Sequence, residues 1–301
     1  MRVAVTGASG MLGSAILRQF SGRFELFALA RSHGYIDENV TWACFDLLDT
    51  NLLETWLKEN TPDIIIHCAA NVNVDECEKN RDKTSALHVG VTSVLANYCS
   101  RFSKKLLYIS TDSVFNGQQE RAYTEIDDPD PLNYYAQTKL FGEIPVLECG
   151  FGTVLRTNIL GWGSGRKTTF FDWLLNGLKS GAKLTLFKDV IFSPITVEKC
   201  SFILEKLITE EVFGLFHCGS SDGASKYEFG ILTAKIFNLP HEQLECVSVE
   251  SFCFDATRPK NMSLDCNKIE GALDITLPTV KTTILNLRTE YAKFNTEMLN
   301  T

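Results

Sequence analysis

The chain has 301 residues, a formal net charge of −8, 45% hydrophobic and 22% charged residues. This is an ordinary globular composition, long enough to bury a large core in one domain or two intimate ones. The acidic balance argues against a nucleic-acid surface, which leaves a basic footprint, and no apolar run approaches the roughly 18 residues of a membrane span.

The first element is a short apolar strand at Val3, Ala4 and Val5, the pattern of a strand buried on both faces of a parallel sheet. Gly7, Gly10 and Gly13 follow at a spacing of three, with Ser9, Met11 and Leu12 between them. Ile16, Leu17 and Phe20 then fall at helical intervals until Ser21-Gly22 ends the run. Strand, glycine turn and helix together make a phosphate site, because glycines let backbone approach a ligand and a helix N-terminus offers free N–H groups.

A second strand spans Phe24 to Ala30 and ends in Arg31-Ser32-His33-Gly34; a third spans Val40 to Phe45, before Asp46-Leu47 and a helix near Asn51 to Glu59. Ile64 to His67 forms the next strand and runs into Cys68-Ala69-Ala70, small residues suited to lining a ligand. A long helix is expected from Lys83 to Phe102, then a strand from Lys105 to Ile109 ending at Ser110-Thr111-Asp112. The loop from Phe115 to Asn133 is acidic and turn-rich, and its aspartates read as a solvated loop rather than a metal site. A helix from about Asn133 towards Glu148 should be perturbed at Pro145, and Val154-Leu155 belongs to the following strand.

Strands alternating with helices over this half predict an α/β doubly wound parallel sheet with its ligand at the carboxyl ends of the strands. Beyond residue 156 the pattern changes. Gly161, Gly163, Gly165, Arg166 and Lys167 make a loop; helices are expected at Thr169 to Lys179, Val197 to Ile208 and Lys226 to Asn238, and strands at Lys183 to Phe187 and Gly214 to Cys218. No repeat or clean linker separates the halves, so the second should pack onto the first. The ten cysteines are scattered from Cys44 to Cys266 without C-x-x-C or Cys/His metal spacing. With a core strand at the start and no signal-peptide pattern, they predict a cytoplasmic protein with reduced thiols.

Tyr135 and Lys139 are four apart on a predicted helix and share one face. A free tyrosine has a pKa near 10, and a neighbouring ammonium should pull it down, making the pair a tunable proton donor or acceptor. Thr111, at the preceding strand end, offers a hydroxyl to hold a carbonyl oxygen beside the phenol. Y-x-x-x-K alone is a weak motif; its position after the Ser110-Thr111 strand end and the glycine turn gives it weight.

The T-G-A-S-G-M-L-G of Thr6 to Gly13 resembles the fingerprint of the extended short-chain dehydrogenase/reductase superfamily, and within it the chain resembles the dTDP-4-dehydrorhamnose reductase family. The matching stretches are His67 to Glu78, Ile109 to Gly117, Tyr123 to Glu143, Leu155 to Asn158, Gly214 to Gly219, Lys226 to Phe229 and Arg258 to Asp265, covering nearly the whole chain. The resemblance implies a Rossmann-type NADP-binding domain at residues 1–160, with strands returning near 188–220, and a mainly substrate-binding part at 161–301. It implies NADPH-dependent reduction of a nucleotide-linked 4-keto-6-deoxy sugar. Tyr135 would donate the proton, Lys139 would bind the nicotinamide ribose and poise Tyr135, and Thr111 would hold the substrate oxygen. Gly7, Ser9, Gly10, Met11, Leu12, Gly13, Asp46, Leu47, Cys68, Ala69, Ala70 and Ser110 would line the cofactor, and Asn158 and Arg258 the substrate, with Arg258 suited to a diphosphate.

A carboxylate at the end of the second strand would select NAD, but Arg31 and Ser32 stand there, so NADPH is expected. His88 stands where many relatives carry an asparagine that organises a proton relay, and Ala136 replaces a glycine. Ala15 stands where some relatives carry a metal-linked glutamate, so no metal is expected. A homodimer is compatible with the resemblance. Two alternatives stay open: an NADP-binding regulatory subunit of a partner enzyme, like the similar regulatory subunit of methionine adenosyltransferase, and an epimerase or dehydratase of the same superfamily. Dehydratases usually follow the threonine with Asp-Glu, and here the pair is Asp112-Ser113.

Overall fold

The computed structural model describes residues 1–34, 37–162 and 168–299, with side chains as far as Tyr291. In the first half the strands are β1 (Arg2–Thr6), β2 (Glu25–Ala30), β3 (Val40–Cys44), β4 (Ile64–His67), β5 (Lys105–Thr111) and β6 (Gly152–Thr157). The helices are α1 (Met11–Phe20), α2 (Thr50–Asn60), α3 (Val74–Lys79), α4 (Arg81–Ser85), α5 (Val91–Phe102) and α6 (Tyr134–Glu148). Two strands in the second half are longer than two residues besides β8 (Leu184–Phe187): β11 (Gly214–Cys218) and β13 (Leu244–Val247). The rest are pairs: β7 (Ile159–Leu160), β9 (Ile191–Phe192), β10 (Ile195–Thr196) and β12 (Ala224–Ser225). Its helices are α7 (Phe170–Ser180), α8 (Val197–Thr209), α9 (Lys226–Phe237), α10 (Asn267–Leu273) and α11 (Val280–Leu299).

Seven strands form one sheet in the order β11-β6-β5-β4-β1-β2-β3, and every pairing in it is parallel. Strand order reverses between β1 and β4, the crevice where doubly wound sheets bind ligands. The continuous apolar runs seen in the sequence are the reason for this burial: Val3 to Val5 and Ile64 to Ile66 lie with apolar packing on both sheet faces. One face is covered by α1, α8 and α10, the other by α2, α5 and α6. A separate apolar cluster joins α7, α9, α11, β8 and β13 in the second half. Of the stretch expected to return to the sheet near 188–220, β11 is the part that joins it, beside β6; β8 pairs instead with β13.

Two local expectations change. The long helix expected from Lys83 to Phe102 is interrupted by a π-helical turn at Ala86–Gly90, between α4 and α5. Helix α6 runs through Pro145 to Glu148. The exposed side chains of Phe141 and Ile144 beside it let water reach the carbonyl that proline leaves without a partner. Gly163, Gly165, Arg166 and Lys167, expected in a loop, lie outside the described residues.

Candidate active site

The glycine turn sits where β1 hands over to α1. Gly7 has φ +65°, and a Cβ there would lie 2.8 Å from the Cα and backbone nitrogen of Ala69. Only glycine allows β1 to turn this close to the loop after β4. That loop is tied to β1 as well: the Cys68 N–H donates to the Thr6 carbonyl (3.3 Å), and the Ala69 N–H to the Thr6 hydroxyl (3.3 Å). Gly10 caps α1 without any side-chain hydrogen bond, so no side chain covers the first N–H groups of the helix. A cradle that a Cβ would fill, facing an uncapped helix N-terminus, fits a diphosphate.

Around it lie the other residues assigned to a cofactor. Ser9 is half-buried beside Gly34, Met11 is half-buried near Gly161, and Leu12 and Gly13 are buried in α1. Arg31 and Ser32 are exposed immediately after β2. Asp46 accepts the Leu48 N–H (3.1 Å), and Leu47 is buried against α2 and the sheet. Cys68, Ala69 and Ala70 are half-buried along the loop after β4.

The second group is built on β5, β6 and α6. Asn133 starts α6 by accepting the Ala136 N–H (2.9 Å) while its amide donates to the Thr257 carbonyl (2.9 Å). The first two turns of α6 then carry Tyr135 and Lys139 towards the end of β5. The Tyr135 phenol lies beside the Thr111 side chain, which favours its ionised form. Thr111 in turn donates to a carboxylate oxygen of Asp112 (3.1 Å), and Asn158 donates to the other (2.7 Å). The structure therefore brings Thr111, Asp112, Tyr135 and Asn158 together.

The expected lowering of the Tyr135 pKa is not what the structure gives. Burial pushes it well above the usual phenol range; the Thr111 side chain opposes this and the Asp112 carboxylate adds to it. Lys139 brings no compensating pull on the phenol: burial drives Lys139 itself down to about 7, against the opposing pull of Glu143. A lysine only partly charged at neutral pH does little to stabilise a phenolate. Its Nζ rests 3.9 Å from the centre of the Tyr108 ring. The phenol is thus held protonated, as a proton donor must be.

Ser110 and Arg258 both have side-chain partners. The Ser110 hydroxyl donates to Glu143 (2.5 Å), which also forms a fully buried ion pair with Arg156 (2.7 Å). Arg258 pairs with Asp75 of α3 (2.7 Å) and lies over the Phe254 ring. Lys226, at the start of α9, was missed in the sequence. Its Nζ lies 3.2 Å from the centre of the Phe192 ring and faces the Asp112 carboxylate. Glu143 and Arg156 had a weak signal: an acid one turn after Lys139, and a cation inside the apolar strand G-T-V-L-R-T. His88 lies on the π-turn, with its ring edge-on to Tyr135.

The sequence model of the RmlD substrate binding domain family matches residues 1–292. Among curated proteins, methionine adenosyltransferase 2 subunit beta of Rattus norvegicus is 34% identical over 89% of this chain and 81% of its own length. The probable low-salt glycan biosynthesis reductase Agl14 of Haloferax volcanii is 27% identical over 98% of this chain and all of its own. Among solved structures, a dTDP-4-dehydrorhamnose reductase of Clostridium acetobutylicum superposes with TM-score 0.82 at 26% identity, covering 96% of this chain and 100% of that one. The Bacillus anthracis dTDP-4-dehydrorhamnose reductase, solved with NADP, also gives 0.82 at 26% identity, over 96% and 99% of the two chains.

Proposed function

The chain belongs to the RmlD substrate binding domain family of extended short-chain dehydrogenases/reductases, and from that premise we propose that it reduces a nucleotide-linked 4-keto-6-deoxy sugar with NADPH in the cytoplasm. The observation that carries the reading is that Tyr135 and Lys139, one turn apart on α6, stand beside Thr111 at the end of β5, while the Gly7 cradle lies at the end of β1 in the same sheet. The residues fit the cofactor: the Gly7 cradle and the open end of α1 suit its diphosphate, and Arg31 and Ser32 suit a 2′-phosphate. When bound, the reduced nicotinamide supplies the hydride.

This chain's own groups supply the rest. Thr111 holds the keto oxygen of the sugar, and Tyr135 gives its proton to that oxygen as negative charge develops there. Lys139 sits one turn further along α6, where it binds ribose hydroxyls. Asn158, which donates to Asp112, contacts the sugar in this reading. An exposed apolar ridge on α6, Phe141, Ile144 and Leu147, supports a homodimer, which light scattering would read.

The test is purified protein with NADPH and a panel of dTDP-, GDP- and UDP-linked 4-keto sugars, followed by loss of nicotinamide absorbance. Turnover that disappears in Tyr135→Phe while NADPH still binds supports the reading. A second reading, an NADP-binding regulatory subunit, is favoured by the 34% identity to methionine adenosyltransferase 2 subunit beta. NADPH binding with no turnover on any sugar, together with a stoichiometric complex with a methionine adenosyltransferase, would decide for it. A dehydratase is disfavoured because Ser113 stands where an acid is needed.

A further inference from the structure

We propose that His88 is a positioning residue: its ring joins the loop after β4 to helix α6 and so fixes where Tyr135 stands. The inference rests on the reading of Tyr135 as proton donor. His88 is fully buried on the π-helical turn at Ala86–Gly90, and such turns collect at functional sites. Its Nε2 accepts the backbone N–H of Asn71 (3.0 Å). A backbone N–H can only donate, so this nitrogen carries no proton and the neutral ring is protonated at Nδ1. Nδ1 then donates to the Thr138 hydroxyl (2.9 Å), and that hydroxyl donates onward to the carbonyls of Tyr134 (2.9 Å) and Tyr135 (3.0 Å).

The ring is therefore a strut with one end on each half of the site. Asn71 continues the Cys68–Ala70 loop that lies against the Gly7 cradle. Thr138 is the residue before Lys139 and three after Tyr135, and the ring itself meets the Tyr135 ring edge-on at 5.9 Å and 81°. The backbone repeats the contact: a Cβ on Gly142 of α6 would lie 2.6 Å from the His88 carbonyl oxygen, so α6 and the π-turn touch directly. Both ring nitrogens are committed to fixed partners, which leaves His88 no proton to pass on and gives it a geometric role. The charged and titratable groups facing it are Lys139, His67 and Tyr135; burial and the Lys139 ammonium bring its pKa down to about 3, so the tautomer holds across the neutral range.

The experiment compares wild type with His88→Asn, His88→Gln and His88→Ala. Asparagine keeps a donor at the δ position for Thr138; glutamine keeps an acceptor at the ε position for Asn71. Thermal unfolding identifies which variants are folded, and at least one amide variant should be. Three readouts follow: the NADPH dissociation constant, the split between kcat and KM, and the tyrosine ζ-carbon NMR resonance that disappears in Tyr135→Phe. Misplacing a reacting group by about 1 Å costs about 10²-fold. In folded His88→Ala, kcat should fall by about that factor with KM nearly unchanged, while either amide recovers part of it. The Tyr135 resonance should move in the same order.

A variant with wild-type kcat and an unmoved resonance would overturn the proposal, as would ring-nitrogen NMR of the wild type showing the proton on Nε2. If the wild type turns over no sugar, the reductase reading fails by itself. The resonance then decides the strut alone: displacement in the variants supports it, and an unchanged position overturns it.

Discussion

Acid should unfold this protein through its histidines. His67, His88 and His217 are each fully buried, and burial is the leading cause of a lowered pKa in all three: well below the usual value for His67, to about 3 for His88 and about 4 for His217. The sign follows from the proton count. Below about pH 6.5 the unfolded chain takes up protons that the folded rings refuse, so stability present at neutral pH is lost as the pH falls. For one ring with a pKa near 6.5 unfolded and far lower folded, going from about pH 7 to 5 removes about 2 kcal/mol, so three rings remove on the order of 6 kcal/mol. Asp112 acts the other way, since burial raises its carboxyl, but one partly offset acid does not match three histidines. Lys139 and Lys226 titrate mainly above the window, with pKa values about 7 folded and 10.5 unfolded. The assay is urea unfolding at both pH values in the absence of nucleotide. His217→Gln should remove about one third of the pH dependence. A loss below about 2 kcal/mol in the wild type would mean that the rings are not buried and neutral, and would refute the reasoning.

Glu143→Gln leaves the Arg156 guanidinium buried without its counter-ion and should cost about 3–5 kcal/mol in urea unfolding at neutral pH; a loss below about 1 kcal/mol would contradict the buried pair. On the proposed reading, in which Arg31 meets the 2′-phosphate, Arg31→Ala should weaken NADPH by about tenfold while leaving NADH within about twofold, read by nicotinamide fluorescence. Equal weakening of both would remove Arg31 from cofactor choice. Gly142→Ala would put a methyl 2.4 Å from the Tyr108 hydroxyl oxygen and 2.6 Å from the His88 carbonyl, and should destabilise by about 1–3 kcal/mol, read as a lower urea midpoint.

Much of the fold was legible because parallel strands buried on both faces leave unbroken apolar runs. The run from Ile64 to His67 became β4 with no change in its bounds. The glycine turn was legible too, yet its cause was not: Gly7 is required by the backbone of Ala69, which lies 62 residues further along the chain. The π-turn escaped because its pattern differs from an α-helix by one hydrogen-bond step; His88 stood out against the family pattern, but nothing in the sequence shows the turn that carries it. The pKa of Tyr135 was misjudged because spacing places a lysine beside it but says nothing about burial. The charge of Arg258 alone does not reveal that Asp75, on another element, is its ion-pair partner.

The place of β11 in the sheet has a consequence for how the chain is made. β6 is next to the sheet edge and its outer neighbour, β11, begins only at Gly214, long after β6 ends at Thr157. A chain emerging at about 5–20 residues per second would leave the β6 edge unpaired for roughly 3–11 s. That edge, V-L-R-T flanked by apolar β5, is a template for wrong pairing. Arg156, placed in the middle of the run, is a charge that a mispaired neighbour would have to bury. A charge inside the run is a device that discourages wrong pairing at such an edge until β11 has been made.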